Sequence, residues 1–365
     1  MSDKAFTLTD KDIEKLCTAG SRAPSGGNSQ PWLVKVNRNT LSIYLDPKRS
    51  ESFLDVGYYA SFFSIGCFLE NLTIEALSLG FDFTTTIHDE ENITEPLITM
   101  TFHGRNNKQS VNQSLQPYIE KRITNRHIYN GMAIEEDKIE QLRKEVRKNN
   151  DFYLFSESSR LGKEKIADIL GQADAIRILN ENTYKEMIQE FRWDKKEVES
   201  TNDGLDIKTL EMPKNAEKLY RLLKDYPSIR QLMPWEAFAG MAKPLLTGCS
   251  HLGCFYTSGA LTPNNMIVAG SIFERAWLLA TKFGIALQPW SILPFFLIRV
   301  NKYEGKGFTK SEVEILKTIE EKFYQRLGLS SKETPLFVFR LSYTNKQPSA
   351  HPLRIPWTDF THISS

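Results

Sequence analysis

The segment Arg22-Ala23-Pro24-Ser25-Gly26-Gly27-Asn28-Ser29-Gln30-Pro31-Trp32 is built almost wholly of small, turn-forming and amide-bearing residues. Proline, serine and asparagine favour turns, and glycine admits backbone that other residues avoid. Such a stretch is an irregular loop whose N–H groups stay approachable, and Asn28 and Gln30 add side-chain amides. Upstream, Thr9 stands where it can cap a helix that carries Ile13, Leu16 and Cys17 on one face as far as Gly20. Downstream, residues 32–36 and 41–45 read as strands, the second alternating as a half-buried strand does. The loop therefore joins a helix to a strand, whatever else it holds.

Further out, residues 58–79 are apolar almost all round, with Glu70 and Glu75 the only formal charges, the pattern of a helix buried on every side. Residues 96–102 read as a strand and 106–116 as a polar connection, where the chain is expected to divide. The second half opens on Lys121-Arg122-Ile123-Thr124-Asn125-Arg126. A helix is expected over 135–148, a strand near 152–155, helices through 163–191, a second apolar helix over 266–283, and a strand over 335–343 before a proline-rich tail. Residues 194–259 match nothing in the first half. Displacing the chain by 204 positions lays one apolar helix on the other: Gly66 on Gly270, Glu70 on Glu274, Ala76 on Ala280 and Gly80 on Gly284. Each helix precedes a short strand, a connection and an apolar strand, at 97–102 and 336–341, an order that supports a duplicated unit.

A chain of 365 residues, 41% of them hydrophobic, suffices for one large or two ordinary domains. Lys and Arg total 46 against 45 Asp and Glu, a formal charge of +1, so nothing global draws nucleic acid or an anionic membrane, and any anion site must be local. Residues 1–10 lack the apolar centre of a signal peptide and no run approaches the roughly 18 apolar residues of a membrane span, so a cytoplasmic protein is expected. Cys17, Cys67, Cys249 and Cys254 are too scattered for a disulfide framework. Cys249 and Cys254 flank His251, but the spacing does not suit a zinc knuckle; the segment reads as an ordinary loop and no metal is expected.

Within the quoted loop, Pro24-Ser25-x-x-Asn28-x-Gln30-Pro31-Trp32 resembles the Pro-Ser-x-x-Asn-x-Gln-Pro-Trp signature of FMN-dependent nitroreductases. Arg122-Ile123-Thr124-Asn125-Arg126 resembles that family's phosphate-binding Arg-x-Ser/Thr-x-Arg. Residues 284–293, with Gln288-Pro289-Trp290, resemble its segment over the flavin's pyrimidine edge, and Arg354-Ile355-Pro356 resembles the C-terminal Arg-x-Pro that completes the phosphate site. In ordinary nitroreductases, homodimers with two flavin sites, the Pro-Ser-x-x-Asn segment of one subunit reaches the flavin held by the other's arginines. Here the first half has the reaching segment and the second has the arginines, so the resemblance implies one complete site per chain. The arrangement is similar to the single-chain, internally dimeric Acg-like relatives, in which an insertion covers the flavin. Phe191-Arg192-Trp193 and Asp203-Gly204-Leu205 also look like stretches of that subgroup.

The resemblance implies an α+β fold of two fused nitroreductase-like α/β sandwich halves forming an intramolecular pseudo-dimer: residues 1–117 and 118–365, with 194–259 as an inserted lid. It implies FMN as cofactor, NADH or NADPH as electron donor, and a nitroaromatic, quinone or similar planar small-molecule acceptor. Neither nucleic acid nor membrane is an expected partner, and a monomer suffices for the flavin site. The expected cofactor-binding residues are Arg22, Pro24, Ser25, Gly26, Asn28, Gln30, Arg122, Thr124, Arg126, Pro289, Trp290, Ser291, Ile292 and Arg354. Guanidinium groups suit a phosphate because they grip oxyanions with paired, charge-assisted hydrogen bonds, and Thr124 adds a hydroxyl. Ser291 and Ile292 would lend backbone N–H groups where negative charge grows on the ring. His127 and His351 flank phosphate candidates and could donate to the anion, though each reads more readily as a plain loop histidine. Hydride transfer is the cofactor's own chemistry, so no catalytic acid or base is assigned. A lid of this length keeps a second reading open, a protein that stores or sequesters FMN with little turnover.

Overall fold

Thr9 begins the first helix of the computed structural model, which describes residues 6–88, 92–106, 111–127 and 131–364. Its hydroxyl accepts from the Asp12 N–H at 3.2 Å, and the Asp12 carboxylate accepts from the Thr9 N–H at 3.2 Å, a reciprocal cap on α1 (Asp10–Ser21). The expectations that fall on residues 1–5 and 107–110 lie outside the described residues.

The fold is α+β. One sheet holds β1 (Trp32–Asn37), β2 (Thr40–Leu45), β3 (Phe81–Ile87) and β4 (Ile98–Arg105). A second holds β5 (Phe152–Glu157), β8 (His251–Thr257), β9 (Ala286–Pro289) and β10 (Thr334–Ser342), ordered β5-β8-β10-β9 and antiparallel throughout. Two short strands, β6 (Phe191–Arg192) and β7 (Leu205–Asp206), pair with each other in parallel. The terminal strand β11 (Thr361–Ser364) crosses to the first sheet and runs parallel to β1, giving the order β11-β1-β2-β4-β3. That crossing carries the segment before it, including Arg354, past the loop at 22–28, where the two meet in hydrogen bonds.

Two helices of twenty residues, α2 (Tyr59–Ser78) and α10 (Pro263–Lys282), occupy the middle of the main core with side chains of both sheets around them. Contrary to the expectation that no run approaches a membrane span, Val56–Ser78 is long and apolar enough to cross one by length and composition, and 83% of its apolar window is buried inside the fold. The helices approach each other at Gly66 and Gly270. A Cβ at Gly66 would stand 1.9 Å from the Ile267 carbonyl oxygen, and one at Gly270 would stand 1.9 Å from that of Phe63. Cys67 Sγ donates to the Gly270 carbonyl at 3.3 Å, and Ser271 Oγ donates to the Gly66 carbonyl at 2.9 Å. Each contact is matched by one displaced along the chain by the same interval, so the pair has a local two-fold relation.

The second half continues through α3 (Glu136–Val146), α4 (Arg160–Leu179) and α5 (Glu181–Glu190) to α6 (Lys195–Thr201), α7 (Lys214–Asp225), α8 (Trp235–Met241) and α9 (Lys243–Thr247). After α10 and β9 come α11 (Ile292–Tyr303) and α12 (Lys310–Leu327), so the connection there is a pair of helices. The segment expected to be one lid, 194–259, divides. Its last part, His251–Thr257, is a strand between β5 and β10, because an almost continuous apolar run cannot remain outside a core. Cys254 and His251 are therefore buried sheet residues, not members of a loop. Residues 194–247, with α6 to α9, line one side of the cavity and are termed its cover.

Candidate functional site

A cavity of about 1080 Å³ receives the loop after α1, the segment 122–126, residues 288–292, the tail at 351–354 and the helices α4, α5, α7 and α8. Of the fourteen expected site residues, all but Gln30 line it. The loop gets its shape from left-handed backbone: φ is 57° at Gly27, 57° at Asn28 and 56° at Gln30. Asparagine tolerates that region better than most residues, whereas at Gln30 it is held by surrounding bonds. The Gln30 N–H donates to Ser25 Oγ at 3.0 Å, its Nε2 donates to the Asn202 carbonyl at 2.9 Å, and its Oε1 accepts from the Ile355 N–H at 2.9 Å. Gln30 thus departs from expectation, for its amide ties loop, cover and tail together behind the cavity wall. Asn28 lines the cavity, but its Nδ2 donates to the carbonyls of Gly204 and Leu353, each at 3.1 Å, and its Oδ1 accepts from Arg354 Nη1 at 2.8 Å.

Three arginines meet around the Arg22 carbonyl. Arg22 pairs with Glu120 at 2.8 Å near the surface. Arg122 is buried, donates to the Arg22 carbonyl, and lies with its guanidinium carbon 4.7 Å from the Trp277 ring centroid. Its Nε stands 2.9 Å from Glu274 Oε1, yet out of line for a hydrogen bond, so the contact is ionic. Arg354 donates to the Ser21 carbonyl at 2.6 Å and to those of Arg22 and Ala23 at 3.3 Å. Burial lowers the Arg354 pKa to about 9, with Arg122 and Arg22 adding like-charge repulsion. In this cluster three guanidinium groups face two carboxylates, Glu120 and Glu274, a local excess of positive charge that suits an anion. Arg126 faces elsewhere in the cavity: its Nη1 donates to the Thr209 carbonyl at 2.9 Å, and burial, then Arg340, lower its pKa to about 10. Thr124 forms an isolated bridge with Leu287, which fixes the height of this segment against β9. His351 lines the cavity, whereas His127 Nε2 is 3.0 Å from the Gln347 carbonyl and 3.4 Å from Glu211.

Opposite the loop, Trp290 donates its backbone N–H to the Val338 carbonyl at 2.7 Å and its indole N–H to Asp174 Oδ2 at 3.0 Å. Ser291 Oγ donates to the Val338 carbonyl at 3.2 Å, leaving α11 without a side-chain cap. The first N–H groups of a helix have no intrahelical partner, so this end offers donors and a positive dipole end beside the cavity.

Sequence reasoning missed the acids. Asp174 sits on the stripe Leu170–Asp174–Ile178 of α4, and burial pushes its carboxyl up to about 7 against the opposing Trp290 bond. A carboxylate within an apolar stripe was the available signal. Asp55 accepts from the N–H groups of Ala60 (2.6 Å) and Ser61 (3.0 Å) and from Ser61 Oγ at 2.5 Å, and burial pushes it up to about 7. Burial also raises Glu190 to about 6, although Arg177 holds it at 2.8 Å. Asp203, in the cover, accepts from Arg192 at 2.5 Å and from Arg49 at 3.0 Å; burial opposes its charge, but these bonds keep its pKa below the usual value. The cover is closely seated, since a Cβ at Gly171 of α4 would stand 2.0 Å from the Ala239 carbonyl of α8.

No family model matches the chain. An uncharacterized protein of Mycobacterium tuberculosis is 28% identical over 336 residues, which are 90% of this chain and 45% of that protein, so the chain spans less than half the length of this curated relative. Among solved structures, the FMN-dependent nitroreductase NfnB from Mycobacterium smegmatis in complex with NADPH aligns with a TM-score of 0.41 at 13% identity, covering 70% of this chain and 100% of that one. A nitroreductase-like family protein from Bacillus cereus aligns at 0.34 and 11%, covering 70% and 96%. Oxidized iodotyrosine deiodinase bound to FMN and 3-iodo-L-tyrosine aligns at 0.35 and 12%, covering 66% and 95%.

Proposed function

We propose that this chain binds FMN in the cavity between its two halves and acts as an oxidoreductase of the nitroreductase type. The observation that carries the reading is the convergence of the 22–28 loop, the buried arginines Arg122 and Arg354, and the uncapped start of α11 on one cavity. The residues fit the cofactor. Arg22, Arg122 and Arg354 supply cationic donors for a phosphate, and a Cβ at Gly26 would meet nothing within 4 Å, so the backbone there is open to a ligand. Ser291 and Ile292 would offer N–H groups to an electron-rich ring edge. FMN supplies two-electron chemistry when bound, accepting a hydride from NADH or NADPH and passing it to a nitroaromatic, quinone or similar planar acceptor. The chain's own contribution is to bind, orient and exclude water. Two fused, duplicated halves, 1–117 and 118–365, account for one such site per monomer.

A second reading, flavin sequestration, draws on the cover. Its bonds to Asn28, Gln30, Arg49 and Arg192 lie directly beside the loop. One experiment separates the two. The purified chain should absorb in the flavin band at about 450 nm, and anaerobic NADPH should bleach it within seconds if it is a reductase. A yellow protein that stays oxidised for hours but bleaches with dithionite is a sequestering protein; a chain that neither carries nor takes up FMN overturns both.

A further inference from the structure

Glu274 lies at the centre of the α10 face toward α2, with no exposure to solvent. A wholly buried carboxylate costs several kcal/mol unless paired and hydrogen-bonded. Here neither carboxylate oxygen meets an aligned donor. The groups that face it are Arg122 at 2.9 Å, Asn71, Glu70 and Cys67 on α2, and Arg354 from the tail. Arg275, its neighbour on α10, is already engaged by Glu70 at 2.7 and 2.8 Å. Asn71 is close enough to favour the carboxylate's charge, second to Arg122, although its amide is not in line for a hydrogen bond. The charge of Glu274 therefore depends chiefly on Arg122, and Arg122 is also an arginine of the cavity wall.

We infer that Glu274 is the positioning residue of the anion site: it aims Arg122 at the cavity and accepts a proton when a phosphate dianion docks there. This rests on the flavin reading above. An arriving phosphate competes with Glu274 for the guanidinium and adds two negative charges nearby, and both effects favour the protonated carboxyl. Burial, opposed by Arg122, already holds Glu274 at about 7, so the proton is taken up within the neutral range. The balance is simple: one proton leaves solvent, none leaves the ligand, and binding weakens as pH rises.

The test is calorimetric titration of the flavin-free full chain with FMN at about pH 7.5 in two buffers of different ionisation enthalpy, from which proton uptake follows directly. The native chain should take up as much as about three-quarters of a proton per FMN, and its affinity should fall by up to about fivefold from pH 7 to 8. Glu274→Gln should bind FMN without that uptake and with a flatter pH profile. The phosphate's own second ionisation, near 6, is common to both proteins and cancels in the comparison. Riboflavin, which lacks the phosphate, serves as the second probe if the variant does not fold; it should bind the native chain with no uptake. Buffer-independent heats for FMN in the native chain, or equal uptake with riboflavin, overturn the role of Glu274 while leaving flavin binding intact. No heat with either ligand overturns the flavin reading itself.

Discussion

Replacing Gly66 or Gly270 with alanine adds a single methyl at the closest approach of α2 and α10. That methyl would stand 1.9 Å from a backbone carbonyl, where real Cβ atoms essentially never come nearer than 3.0 Å, so the helices must part by about 1 Å. A gap of that size forfeits a quarter to a half of each dispersion contact along the seam. It also stretches the hydrogen bonds from Cys67 and Ser271 across it, worth about 1 kcal/mol each. Overpacking typically costs about 1–3 kcal/mol, and the better helix propensity of alanine returns about 1. A net loss of about 2–4 kcal/mol is expected for each variant, read as a lower urea midpoint at unchanged slope. The local two-fold predicts similar losses at both positions. One separation relieves both clashes, so the double variant should lose less than the sum of the two. Gly26→Ala, whose methyl meets nothing, should stay within about 0.5 kcal/mol of the parent. If Gly270→Ala proved as stable as the parent, the tight seam would be wrong, and with it the register that sets the cavity between the halves.

Asp174→Asn should stabilise the protein increasingly with pH. Burial raises the folded carboxyl to about 7 from its ordinary 3.8, so the native state holds a proton that the unfolded chain has lost between those values, and stability falls as pH rises through that window. Asparagine keeps an acceptor for the Trp290 indole and removes the loss, so its advantage should grow from near zero at pH 4 to a few kcal/mol above pH 7, measured as the difference in melting temperature. Asp203→Ala should cost only about 1 kcal/mol in global stability but markedly speed proteolysis within 194–247, because two arginines lose the anion that ties the cover to the loop side; unchanged cleavage would show that the cover does not depend on it. Arg122→Ala and Arg275→Ala should each destabilise by about 3–5 kcal/mol, but only the first should purify without flavin. Equal flavin content in the two would remove Arg122 from the site.

Much of the fold was readable because its signals are local. The cap at Thr9, the alternation of 41–45 and the two all-apolar helices are each set within a few residues, and these elements appear within a few positions of their expected bounds. What escaped depends on distant partners. Nothing near His251–Thr257 announces that β5 and β10 will flank it, so it was read with the cover. Gln30 carries an amide suited to a ring edge, but the left-handed backbone turns it toward Asn202 and Ile355, residues far along the chain. Among the residues that line the cavity, the arginines carry a recognisable pattern and Asp203 lies in a stretch with a resemblance but no assigned role, whereas Asp55 and Asp174 belong to no motif and join the cavity only through tertiary packing.

The two helices also offer a physical reason why a pair of related surfaces would hold one anion site, as proposed, instead of two. Positions 70 and 274 correspond across the local two-fold, and both are glutamate; positions 71 and 275 correspond likewise, but one is asparagine and the other arginine. Glu70 is therefore neutralised within the seam by the Nε–Nη2 edge of Arg275, whose Nη1 lies 3.7 Å from Glu145, and that group has no charge left to offer a ligand. Glu274 finds only neutral Asn71 at the equivalent place and must borrow its cation from Arg122, a residue whose other contacts open onto the cavity. A buried carboxylate cannot stay ionised without such a partner. One residue difference thus closes a salt bridge on one side of the axis and recruits a cation to the cavity wall on the other, which is why the loss of Arg122 and the loss of Arg275 should cost alike in stability and differ in bound flavin.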